Sequence, residues 1–188
     1  MVATSEDFMV LNERQFDLLP EDGIFEVVNG RAILMPGNDA PHQELSFDLA
    51  FVFHEQLIPA TGFIFQAVNV HVDPDPAEFG AFCSRVPDLV VSTFHPGEKF
   101  RVGCSPELVI EILSTPRGNV ERTEKLDDYA RAGIREYWIV NPFGPNIEVY
   151  YLQNGEYQLQ PRQSVLHPLA FPTVEIAVDS IFHKMKDA

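Results

Sequence analysis

The run Glu107-Leu-Val-Ile-Glu-Ile-Leu113 limits the fold more than any other stretch of this chain. Extended, it places Leu108, Ile110 and Ile112 on one face and Val109, Glu111 and Leu113 on the other. Both faces are apolar, so the segment is expected to be a central strand covered on each side. The residues downstream suit such a layered arrangement. Their spacing predicts a helix from about Val120 to Ala132 stopped by Gly133, then strands at Tyr137–Val140 and Ile147–Leu152 separated by Pro142 and Gly144-Pro145.

Upstream, Ser5 to Leu19 reads as a short helix ending before Pro20. Asn29-Gly30, flanked by Ile24–Val28 and Ala32–Met35, is a strong hairpin signal. Pro41 opens a helical pattern in which Leu45, Leu49, Val52 and Phe53 share a face until Pro59 and Gly62. Extended segments are expected at Phe63–Val72 and Val86–Ser92, with an acidic turn at Asp73-Pro-Asp-Pro between them. Short β-like pieces after Gly155 suggest a peripheral hairpin and tail. Helices alternating with strands around one covered strand make the class α/β or α+β with one central mixed sheet, and 188 residues suit a single domain spanning 1–188.

A charge inside a covered strand is costly unless it is paired, neutralised or bound to a cation. Glu111 is such a charge, and Asp88 opens the apolar run Asp88-Leu-Val-Val91 after Pro87. Two carboxylates on neighbouring strands would converge on a hard cation such as Mg²⁺. Alternatively, Asp88 caps a turn and Glu111 pairs with an arginine or lysine. Lys125 borders the apolar stripe of the predicted helix, where it would hold a phosphate or water near the site. Spacing alone favours a pair with Glu121 or Asp128 instead. Glu26, on an alternating hairpin strand, reads as solvent-facing, and His42 as a base, a phosphate contact or a helix cap.

Charge restricts the partners. The 28 acids and 13 basic residues leave a net charge of −15, which opposes broad binding to any polyanion. The imbalance is uneven: residues 1–84 hold 14 acids and two bases, whereas residues 85–140 hold nine acids and eight bases. Arg85, Lys99, Arg101, Arg117, Arg122, Lys125, Arg131 and Arg135 are therefore the cations for any local phosphate site, unless they form a solvated face among the interleaved acids. No stretch approaches the roughly 18 apolar residues of a membrane-spanning helix. The sequence MVATSEDFMVLNER has no signal-peptide pattern, and Cys83 and Cys104 are too few for a disulfide framework or a four-cysteine zinc site. A soluble cytoplasmic protein without a membrane partner is expected.

These residues also carry a resemblance. The succession Phe25-Glu26-Val27-Val28-Asn29-Gly30-Arg31, Pro41-His42-Gln43, Val86-Pro87-Asp88-Leu89-Val90-Val91, Glu107 to Pro116 and Lys125 to Pro142 resembles the Uma-two family of bacterial restriction-endonuclease-like proteins. The resemblance covers about residues 8–152, leaving 153–188 as a peripheral β extension and tail. It implies the PD-(D/E)XK nuclease fold, a central mixed sheet flanked by helices, with an N-terminal helix and hairpin.

Position by position, it implies that Asp88 and Glu111 are the metal ligands, with the Ile112 carbonyl and Glu26 completing the site. The motif's lysine should stand two residues after Glu111, where this chain has Leu113; Lys125 on the next helix takes that role. His42 and Gln43 fall on a family pattern beside the site, as substrate contacts. The implied chemistry is phosphodiester hydrolysis with Mg²⁺ or Mn²⁺, on DNA reached through a local site only. A reading of another class stands beside it, a catalytically silent or partner-dependent module acting by protein association. A homodimer built by the C-terminal β segment is expected with either.

Overall fold

The computed structural model describes residues 12–57, 62–72, 82–97, 99–101, 103–116 and 119–183. The described part begins with α1 (Glu13–Phe16), capped by the Asn12 side chain, and enters the hairpin β1 (Phe25–Val28) and β2 (Arg31–Leu34). Asn29 and Gly30 take φ of 50° and 74°, the left-handed pair that a tight two-residue hairpin turn requires. Of the predicted first helix, residues 5–11 lie outside the described residues, as do the acidic turn at Asp73–Asp75 and Arg117.

Next come α2 (Ala40–Leu57), β3 (Phe63–Gln66), β4 (Val70–His71), β5 (Ser84–Arg85), β6 (Leu89–Ser92) and β7 (Leu108–Ile112). The expected continuous strand from Phe63 to Val72 is two strands in two sheets. Ala67 has a φ of 50°, which breaks the extended run: β3 pairs with β6, and β4 pairs with β5. The chain then forms α3 (Asn119–Arg131), β8 (Glu136–Asn141), β9 (Asn146–Gln153), β10 (Glu156–Leu159), β11 (Val165–Leu166), β12 (Ile176–Ala177) and α4 (Val178–Ile181).

Six strands form the main sheet in the order β10-β9-β8-β7-β6-β3. Among the described strands of this sheet, only the β7–β8 pair is parallel, and α3 makes the crossover between them. All five residues of β7 are buried, as a covered central strand demands. On one face, Leu108, Ile110, Ile112, Trp138 and Val140 pack against Leu45, Leu49, Phe53 and Leu57 of α2. On the other, Val90, Val109, Tyr137 and Ile139 pack with Tyr129 and Ala132 at the end of α3.

The C-terminal segment corrects one expectation. Residues from Leu166 to Phe182 are not a peripheral tail: Leu166, Phe171, Val174, Ile176, Val178, Ile181 and Phe182 join the same core as α2. Strands β11 and β12 pair with each other within the chain. A four-stranded sheet, β2-β1-β5-β4, sits beside the main one. Its pairing of Val27 with Ser84 brings the next residue, Arg85, alongside Glu26.

Candidate functional site

Glu111 leaves β7 toward the α3 side of the sheet, opposite Leu108, Ile110 and Ile112. Its side chain is only 9% exposed. Lys125 and Tyr129, one turn apart on α3, both reach it: Lys125 Nζ lies 3.0 Å from Glu111 Oε1, and the Tyr129 hydroxyl donates to the same oxygen at 2.6 Å. Burial raises the Glu111 pKa; Lys125 opposes that, while Asp88 and Glu26 reinforce it, and the net shift is upward. Burial also works against the Lys125 charge, but Glu111 and Glu26 outweigh it and hold the ammonium above the ordinary lysine range. Lys125 is therefore a fixed cation.

Asp88 immediately precedes β6, at the mouth of the strand pair β6–β7. Its Oδ2 accepts the Ile112 backbone N–H at 2.7 Å and lies 3.1 Å from His42 Nε2; Asn38 Nδ2 donates to Oδ1 at 3.4 Å. His42 is itself buried in the first turn of α2, and it is not the cap. That role belongs to Asp39, whose carboxylate accepts the His42 backbone N–H at 3.0 Å. Burial lowers the imidazole pKa, but Asp88, with the Ile112 backbone and Asp39, outweighs it and the net shift is upward. Gln43 is exposed, and its amide donates to the Asn38 carbonyl at 3.0 Å.

Glu26 is buried rather than solvent-facing. Its Oε2 accepts from Arg85 Nη1 at 2.9 Å, and its Oε1 meets Lys125 Nζ at 3.3 Å and the Val86 N–H at 3.3 Å. Arg85 in turn donates through Nε to Asp128 at 2.6 Å, and Asp128 also accepts from Arg131. A continuous chain of alternating charge thus runs Asp128, Arg85, Glu26, Lys125, Glu111. Of the two partners that spacing suggested for Lys125, Asp128 is taken by Arg85 and Arg131 instead, and the side chain of Glu121 lies outside the described residues.

Asp88, Glu111, Ile112, Lys125, His42 and Gln43 all line one cleft of about 980 Å³. Glu26 is not in that lining and reaches the site through its contact with Lys125. Among the described residues, no three His, Cys, Asp or Glu side chains converge as a ready-made metal site. Of the other expected local cations, Lys99 is tied to Glu13 and Asp17, and Arg101 to Glu13, away from this cleft's lining.

The sequence model of the Uma2 family, described as "Putative restriction endonuclease", matches residues 13–179. This chain belongs to that family. The match runs through the C-terminal segment that closes the core here. A solved structure described as a putative nuclease belonging to DUF820, from Anabaena variabilis ATCC 29413, aligns with a TM-score of 0.71 over 92% of this chain and 97% of that one, at 20% identity. A search of curated proteins finds no match. Among the described residues, no helix is long and apolar enough to cross a membrane.

Two members of the site escape a reading of the sequence alone. Tyr129 reads as an apolar stripe residue, although its position four after Lys125 puts both on one helix face and so both on Glu111. Arg85 reads as a phosphate cation, whereas it is 3% exposed and locked between Glu26 and Asp128. Its place directly before Val86-Pro87-Asp88 was the available sign.

Proposed function

We propose that this chain is a divalent-metal-dependent nuclease that hydrolyses phosphodiester bonds in the Asp88–Glu111–Lys125 cleft. The observation that supports it best is the meeting of two carboxylates from adjacent strands and one fixed ammonium from the crossover helix in a single cleft. Asp88, Glu111 and the Ile112 carbonyl offer hard oxygen donors, and two carboxylates leave positions for water and phosphate oxygens, the habit of Mg²⁺ and Mn²⁺. The raised pKa of Glu111, driven partly by Asp88, also fits a place where a cation would relieve like-charge repulsion. Such a cation would supply Lewis acidity and an activated water.

The protein groups divide the remaining work. Lys125, held protonated, orients the attacking water or the phosphate and stabilises developing negative charge; it does not act as a base. His42 and the Ile112 N–H both engage Oδ2 of Asp88 and fix its rotamer, which makes His42 a positioning residue. Glu26, shared between Arg85 and Lys125, aims Lys125 at Glu111, a reading its contacts support better than a direct ligand role. DNA contact through this local site, a cytoplasmic location and a homodimer belong to the same proposal.

One observation favours the other reading, a silent module: the absence of three converging ligand side chains among the described residues. A nuclease assay on plasmid and single-stranded DNA with Mg²⁺ or Mn²⁺ separates the two. Cleavage by the wild type that disappears in Asp88→Asn and Glu111→Gln supports the enzyme. Cleavage that persists in both variants defeats the site, and no cleavage with any metal favours the module.

A further inference from the structure

We infer that the cleft takes an unpaired nucleic-acid strand rather than a duplex, an inference that rests on the nuclease reading and names its substrate class. The reacting groups are recessed: the side chains of Lys125 and Glu111 are 8% and 9% exposed, and that of Asp88 is 14% exposed. A strand free to splay reaches such a floor with less strain than a stiff double helix, whose bending costs free energy. A cleft of about 980 Å³ is the size of a small-ligand pocket, suited to a short splayed piece of a strand.

The lining chemistry points the same way. Among the described lining residues, Lys125 is the one permanent cation, beside the carboxylates of Asp88 and Glu111. Duplex binding draws on many phosphate contacts by lysine and arginine, and the described lining supplies one such cation. Bases offer another source of affinity. Phe47, 66% exposed on α2, and Ile24, 51% exposed before β1, both line the cleft with their apolar surfaces turned to solvent. An exposed aromatic ring beside a phosphodiester site is a stacking platform for an unpaired base. Asn38, Gln66, Ser114 and Thr115 add amides and hydroxyls to the same lining, groups of the kind that meet base edges.

Fluorescence anisotropy tests this with a short fluorescein-labelled DNA strand, the RNA strand of the same sequence, and the DNA duplex, each in Ca²⁺ to suppress cleavage. At least one single strand is expected to bind about tenfold or more tighter than the duplex, and Phe47→Ala to lose about tenfold of that affinity while Phe47→Tyr keeps it. Equal or tighter binding of the duplex, no strand binding, or an unaffected Phe47→Ala overturns the inference. The DNA and RNA arms tell which sugar the strand carries. A parallel cleavage assay in Mn²⁺ keeps the two claims apart: Asp88-dependent cleavage of duplex with no strand preference defeats this inference but not the nuclease, whereas strand binding without cleavage does the reverse.

Discussion

Glu111 and Glu136 sit on adjacent parallel strands, both buried, both with a carboxyl pushed above its ordinary range, and they serve opposite ends. Glu136 is paired in register with Leu108, so it faces the α2 side, and Glu111 faces the α3 side. There Glu136 is closed off: its oxygens accept the Trp138 Nε1–H at 2.7 Å and the Leu169 N–H at 2.6 Å, pinning the C-terminal segment to the sheet. Burial raises its pKa to about 7 against these two donors. Glu111 instead has a lysine, a tyrosine hydroxyl and a second carboxylate nearby, and it opens on a cleft. Burial of a carboxylate alone does not mark a site. Charged partners and access to a cavity do.

The contrast can be broken first at the cleft. Asp88→Asn and Glu111→Gln should each lower metal-dependent cleavage by about 100-fold or more, whereas Glu136→Gln should leave turnover near the wild-type value; single-turnover kinetics reads all three. Lys125→Met comes next. It strands Glu111 and Glu26 without their shared cation, and urea unfolding should show a loss of about 3–5 kcal/mol, which Glu111→Gln in the same chain should partly restore.

Glu136→Gln should cost less, about 1–3 kcal/mol, because an amide cannot accept from both Trp138 and Leu169. The smallest effect is its pH dependence. A carboxyl whose folded pKa is raised from 4.5 to about 7 contributes stability that is full below pH 4.5 and is lost as the pH rises through 7. The difference in Tm between the wild type and Glu136→Gln should therefore shrink from pH 5 to pH 8. Growth of that difference would show that Glu136 is stabilised as the anion.

Much of this was legible in the sequence, for local reasons. The covered strand at Glu107–Leu113 announces itself by apolar residues on both faces, and Asn29-Gly30 by the backbone conformation its turn demands. Glu111 stands out because its neighbours in the strand are all apolar. Partnerships across the chain were not legible. His42 meets Asp88 from 46 residues away, and Arg85 meets Glu26 from 59; no periodicity reports such a distance. Glu26 looks solvent-facing on an alternating strand until β5 brings Arg85 over it. The C-terminal segment looks peripheral because its apolar residues are scattered among prolines, and only the fold gathers them against α2.

Manganese binding followed by electron paramagnetic resonance tests the central claim most directly, because it needs no substrate. Wild type and Glu136→Gln should bind Mn²⁺ alike, and Asp88→Asn and Glu111→Gln should each lose that binding. Undiminished Mn²⁺ binding in both cleft variants, or an equal loss in Glu136→Gln, would contradict the account.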